Sequence, residues 1–260
     1  MIIDFHTHIF PDKIAGRTLD YLSDIFGASP FADGTHTGLC DSMKKAGVAV
    51  SLPAVTKVSQ VESINRFASA FTEGTVISFG GIHPECENYK EILKEIKNLG
   101  LKGIKLHPDY QDMYFDDIRY EHIVDTASEL GLITVVHAGA DPKCPKDVHC
   151  TPKMARKLLD DVKPEKLVLA HMGGNEMWDE VEKYLVGQNV YFDTGVILDR
   201  MPEEQFLRMV HMHGADRILF GTDSPWADQK KFVTLFDQMP LTEEEKMAVF
   251  SGNAKKLLGI

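Results

Sequence analysis

The chain has 260 residues, 43% of them apolar, which is enough for a sizeable core, and its net charge of -11 with no basic stripe argues against nucleic acid and the anionic inner leaflet of a membrane as partners. No apolar run approaches the roughly 20 residues of a membrane helix, and four cysteines in a chain of this size do not make a disulfide framework. The opening Met1-Ile2-Ile3-Asp4-Phe5-His6 has no basic region and reads as a strand rather than a signal peptide. The expectation is a cytoplasmic protein whose partner is a small-molecule substrate. A homodimer is one of the assemblies left open.

Short apolar runs alternate with amphipathic stretches along the whole chain. The runs are Ile2 to Phe5, Val48 to Leu52, Val76 to Phe79, Gly103 to Leu106, Leu132 to Val136, Leu167 to Ala170, Val190 to Phe192 and Arg217 to Phe220. Apolarity without polar alternation suits parallel strands covered by helices. Helical spacing is clear over 60–72 (Val61, Ile64, Phe67, Ala68, Phe71) and 88–99 (Ile92, Leu93, Ile96, Leu99). Asp117 to Leu130, Pro152 to Leu159 and Glu203 to Val210 read the same way. Thr151-Pro152 is a cap with a first-turn proline, Thr242 with Glu245 is a capping box, and Gly100 and Gly131 are helix stops. An eightfold βα alternation of about 250 residues predicts an α/β protein, a single (β/α)8 TIM barrel over residues 1–260. A doubly wound open sheet is the alternative. The absence of a glycine-rich phosphate fingerprint after the first strand weighs against it.

The polar residues sit where such a barrel places its chemistry. The first strand ends in His6-Thr7-His8, and later strands run into His83, His107, His137 and His171. The last is followed by Gly221-Thr222-Asp223. In a barrel these ends converge on the C-terminal face. His6 and His8 alternate by two, so both imidazoles leave an extended strand on the same side. An isolated His-x-His is a weak signal, and a polar strand end bonded to a loop is its bland reading. Adding His137, His171 and Asp223 at three other strand ends makes a metal site the better reading.

Several segments also resemble the amidohydrolase superfamily, in particular its amidohydrolase-2 branch. They are Asp4-Phe5-His6-Thr7-His8-Ile9-Phe10-Pro11, Gly103-Ile104-Lys105-Leu106-His107-Pro108, Val136-His137-Ala138-Gly139, Ala170-His171-Met172-Gly173-Gly174 and Phe220-Gly221-Thr222-Asp223-Ser224-Pro225. The C-terminal Gly252-Asn253-Ala254-Lys255-Lys256-Leu257-Leu258-Gly259 matches as well. The resemblance implies that His6, His8 and His137 are metal ligands. It places His171 beside the metal, assisting proton transfer or holding substrate. It makes Asp223 a ligand of the metal or its water and the general base. Zn2+ is the first choice for such a donor set, with Mn2+ or another divalent ion as alternatives. A carboxylate touching the activated water takes its proton, so no covalent nucleophile is needed.

Lys105 carries three readings. It is a carbamylated bridge between two metals, a buried lysine paired with a carboxylate, or an amine that binds a substrate carboxylate. His83 and His107 either line the pocket and bind a polar substrate group or cap strand ends. Gln111 is a further candidate for substrate binding, and Trp226 is either an apolar wall of the pocket or a packed surface aromatic. Cys144, His149 and Cys150 lie in the loop after His137, which reads as a lid more readily than as an accessory metal site. Cys40 and Cys86 read as ordinary thiols, and His36, His122, His211 and His213 as surface residues.

Hydrolysis of a small carboxamide, ester or lactone is the main functional expectation. Non-oxidative decarboxylation of a small aromatic or unsaturated carboxylate is the alternative. The chain's shortness, with little room for subdomain insertions, tilts the choice toward hydrolysis. A non-catalytic zinc- or ligand-binding barrel ranks last, because both Asp223 and His171 are present.

Overall fold

The computed structural model describes residues 1–43 and 47–260. Its strands in chain order are β1 (Ile2–Thr7), β2 (Gly47–Ser51), β3 (Val76–Ser78), β4 (Gly80–Gly81), β5 (Gly103–Leu106), β6 (Ile133–Val136), β7 (Leu167–Leu169), β8 (Tyr191–Asp193) and β9 (Ile218–Leu219). Each of the eight predicted runs holds a strand, and a further short strand, β4, follows the third run just beyond Phe79. Contacts group the chain into two compact units. One comprises Met1–Ser51, Glu73–Ile77 and Asp193–Ile260, the other Leu52–Thr72 and Ser78–Phe192.

In the first unit β1, β2 and β3 lie in that order, with Ile2 of β1 opposite Gly47 and Asp4 opposite Ala49 in parallel register. The other edge of β1 is zipped to the segment after β9. Phe5 N donates to Phe220 O (2.8 Å), Asp223 N to His6 O (2.7 Å) and His8 N to Ser224 O (2.7 Å). Apolar packing anchors this arrangement. Ile3, Phe5, Val50, Phe220 and Phe236 are buried, and the rings of Phe220, Phe236 and Phe250 meet at centroid distances of 4.8 to 6.0 Å. Burying one such side chain contributes about 1.5–3 kcal/mol.

A buried carboxylate ties the same strands together. Asp4 accepts from Thr222 N (2.9 Å), Thr222 Oγ1 (2.6 Å), Gln229 Nε2 (2.7 Å) and His6 N (3.3 Å). Burial pushes its carboxyl up to about 6 even against these hydrogen bonds. Asp4→Ala leaves donors of Thr222 and Gln229 buried without that acceptor. The expected loss is about 3 kcal/mol of stability, read as a lower urea midpoint with an unchanged slope.

In the second unit β4, β5, β6, β7 and β8 are successive parallel neighbours. Leu106 is opposite Val136, and Val136 opposite Leu169. The ladder continues one residue further, with His137 N donating to Leu106 O (3.1 Å) and Ala170 N to Val136 O (2.9 Å). This register brings His107, His137 and His171 to one end of the sheet. Helices cover the strands where periodicity predicts them, at Val61–Ala68, Tyr89–Asn98, Ile118–Glu129 and Pro152–Val162. Gly100 and Gly131 terminate helices in left-handed conformations as expected. In the first unit, Glu203–His213 is helical and Thr242 and Glu245 form the predicted capping box. The helices Asp12–Phe26, Trp178–Tyr184 and Gln229–Asp237 lie outside the predicted set. Among the described residues no helix is long and apolar enough to cross a membrane. All four cysteines are free thiols.

Candidate metal centre

The zipper between β1 and residues 220–224 brings His6, His8 and Asp223 together. Asp223 Oδ1 lies 2.8 Å from His8 Nε2 and 3.4 Å from His6 Nε2. The two imidazoles leave β1 on the same side, with ring centroids 5.2 Å apart. Close approach here depends on Gly221, where a Cβ would come within 2.8 Å of His6 Cβ. Asp223 itself has φ 67°, and nearby Val196, whose N donates to Thr222 O, has φ 51°. A left-handed backbone at residues other than glycine costs about 1–3 kcal/mol and collects at functional sites.

Sequence reasoning missed Asp193. This fully buried residue ends β8, and its Oδ2 lies 2.9 Å from His6 Nδ1 while its Oδ1 accepts from Gly195 N. A carboxylate on Nδ1 orients the ring and leaves Nε2 toward Asp223, the usual arrangement of a metal-binding histidine. The only signal was an acidic residue directly after the run Val190 to Phe192. Three donor atoms from His6, His8 and Asp223 fall within 4.8 Å of one another. The mixture of imidazole nitrogen and carboxylate oxygen fits a divalent transition metal.

In the second unit, His137 Nδ1 lies 3.0 Å from His171 Nε2. His171 and Met172 have φ 59° and 54°, so the chain turns sharply as it presents the imidazole. The His107 ring stacks on His137 at 4.2 Å and on Tyr110 at 3.8 Å. Asp141 Oδ2 is 3.8 Å from His107 Nε2 and 3.7 Å from His137 Nε2. Asp109 Oδ1 faces His149 Nδ1 at 3.1 Å, and Asp109, Cys144 and His149 place ligand-type atoms within 4.8 Å of one another. Burial raises the Asp109 carboxyl above its ordinary range, opposed by its hydrogen bonds to His149. Asp109 and Asp141 were not among the sequence candidates.

Lys105 is buried in β5, opposite Gly81 and Val135. His83 is buried, and its Nδ1 accepts from Glu85 N (3.3 Å). Burial lowers its pKa, so its neutral form is favoured. Gln111 is placed differently from expectation. Its Nε2 donates to Val55 O (3.0 Å) and Ile82 O (2.7 Å), and its Oε1 accepts from Tyr120 Oη (2.9 Å) and His107 N (3.2 Å). The amide is thus spent on bolting three segments together. Trp226 packs edge-on against Phe26 at 4.6 Å. His213, expected at the surface, is buried at the end of its helix, where the preceding Met209 and Val210 are also buried. His122 and His211 are exposed as expected.

Solved structures share this fold. A TIM-barrel protein from Bordetella bronchiseptica superposes with a TM-score of 0.76 at 20% identity, covering 99% of this chain and 98% of that one. A 2,6-dihydroxybenzoate decarboxylase from Rhizobium gives 0.74 at 15% identity, with 99% and 98% covered. A dihydroxybenzoic acid decarboxylase from a Polaromonas species, solved with bound manganese and the inhibitor 2-nitroresorcinol, gives 0.70 at 15%, with 99% and 96% covered. No curated protein sequence matches the chain. The expected α/β class and (β/α)8 barrel are therefore the fold of this protein. With the Amidohydrolase family model matching residues 3–260 and the strand-end histidines in place, the chain belongs to the amidohydrolase family of enzymes.

Proposed function

We propose that the protein is a divalent-metal-dependent enzyme that removes the carboxyl group of a small aromatic acid as CO2. The observation that carries the metal is the convergence of His6 Nε2 and His8 Nε2 on Asp223 Oδ1 at 3.4 and 2.8 Å. Ligand bonds of about 2.1 Å put neighbouring donor atoms roughly 3.0–3.4 Å apart. His137 is the further ligand that the family resemblance implies. Zinc suits the donor set, and manganese is the ion held by the Polaromonas decarboxylase. When bound, the ion supplies Lewis acidity toward an oxygen of the substrate.

The chain's own groups supply the rest. Asp193 holds His6 by Nδ1. Asp223 takes up a proton from solvent and passes it to the carbon from which CO2 leaves, with His171 assisting the transfer; one proton is consumed for each CO2 released. Lys105, His107 and His83 are the proposed contacts for the acidic substrate, with Trp226 as apolar wall. Gln111 supports His107 through its backbone N–H. The likeness to decarboxylases favours this reaction over hydrolysis. The alignment to the Rhizobium enzyme runs over 98% of that chain, so the likeness is not confined to one part of it. Hydrolysis of a carboxamide, ester or lactone is the second reading, favoured by the family description. In that case Asp223 takes a proton from water.

The test is to load metal-stripped protein with Zn2+ or Mn2+ and to offer hydroxybenzoates, amides and lactones. Metal-dependent release of CO2 from a hydroxybenzoate supports the proposal. Turnover confined to amides or lactones assigns the second reading. The paired variant His6→Ala/His8→Ala is expected to lose most bound metal with an unchanged circular dichroism spectrum. Full metal content in that variant refutes the ligand assignment. A single bound ion with Lys105 of unmodified mass excludes the carbamylated bridge.

A further inference from the structure

His137 shows its two ring nitrogens to different surroundings. Nδ1 faces His171 Nε2 at 3.0 Å, whereas Nε2 faces Asp141 Oδ2 at 3.7 Å and Asp109 Oδ2 at 3.9 Å. Both carboxylates are held by their other oxygen. Asp141 Oδ1 accepts from Lys143 N (2.8 Å), and Asp109 Oδ1 accepts from His149 N (3.2 Å). Asp109 is fully buried, and among the described residues its Oδ2 accepts no hydrogen bond. The plane of His137 is fixed by the parallel ring of His107, itself stacked on Tyr110.

A neutral imidazole has one N–H and one lone pair, and its partners decide which nitrogen carries which. A lone pair on Nε2 would lie within 3.7 and 3.9 Å of two carboxylate oxygens and be repelled by both. An N–H there is attracted by both, across separations where Coulomb forces in a buried site are strong. We propose that Asp109 and Asp141 are positioning residues that keep the His137 proton on Nε2, so that Nδ1 presents the lone pair a cation needs. They act only through His137. In the ion-free protein, His171 Nε2–H donates to that lone pair. A second cation bound among His107, His137 and Asp141 is the competing use of the cluster. Parallel rings 4.2 Å apart set their in-plane lone pairs side by side instead of converging, which favours the positioning role.

The inference rests on the metal-dependent reading, and its tests are separable from it. The first uses metal-free, 15N-histidine-labelled wild-type protein at alkaline pH, with His137 assigned by comparison with His137→Gln. The expected pattern is protonated Nε2 and unprotonated Nδ1. The reverse pattern overturns the proposal, whether or not the protein binds any metal. The second uses Asp109→Asn/Asp141→Asn, which keeps the acceptors for His149 N and Lys143 N while removing both charges. The expected result is a mixture of His137 tautomers and a Zn2+ affinity weakened 10–100-fold, the usual scale for such outer partners. Bound-ion stoichiometry should stay unchanged. Unaltered tautomer and affinity overturn the proposal, as does a fall from two bound ions to one, which would mark a second cation site.

Discussion

Asp223→Asn is expected to lower turnover by about 10²-fold or more while the protein keeps its fold and much of its metal. The residue sits at φ 67°, a conformation asparagine tolerates well. The amide oxygen can still accept from His8 Nε2, now 2.8 Å from Asp223 Oδ1, and can still touch an ion. The amide cannot carry the proton, so kcat should fall with little change in KM. Metal analysis and steady-state kinetics on the same preparation check this. Normal turnover with metal retained would transfer the proton to another group, with His171 the first candidate. Loss of the metal would mark Asp223 as a ligand above all.

Gly139→Ala is expected to be among the most damaging single substitutions to stability. Gly139 follows His137 by two residues and has φ +85°. A Cβ there would lie 2.1 Å from Asn175 N and 2.4 Å from Asn175 O. Both are backbone atoms, locked by Asn175 N donating to Ala138 O and Ala140 N to Asn175 O. Neither loop segment can step aside without breaking this bridge, so a loss above about 4 kcal/mol follows. Gly131→Ala is the control. It shares a positive φ (+74°) but meets nothing within 4 Å, and should cost only about 1 kcal/mol. Thermal melts of the two variants separate the effects. Equal losses would show that backbone conformation, not close approach, governs Gly139.

The strands were legible because most of their residues are buried on both faces, fully so in β5, β6 and β7, so apolarity is nearly continuous and needs no partner to be seen. The short β4 was not, since it consists of Gly80 and Gly81, which carry no side chains to make an apolar pattern. The helix Asp12–Phe26 escaped notice for a physical reason. It carries a glycine at 16 and buries only Ala15 and Leu19, so its apolar stripe is thin. His6, His8, His107, His137, His171 and Asp223 stood out as polar residues at the ends of apolar runs. Their partners did not. Asp193 reaches His6 across 187 positions, and Asp109 and Asp141 matter only through the register of β5 and β6. Gln111 looked like a pocket residue because it follows a strand end. Three of its four hydrogen bonds could be known only from where Val55, Ile82 and Tyr120 lie.

The central claim is a divalent ion held by His6, His8 and Asp223. Anomalous diffraction from crystals grown with Mn2+ tests it directly, since scattering from manganese locates the ion independently of any assay. The account predicts a peak within about 2.3 Å of His6 Nε2, His8 Nε2 and an Asp223 carboxylate oxygen. A peak bonded to none of these three, or no peak in protein saturated with Mn2+, would contradict it.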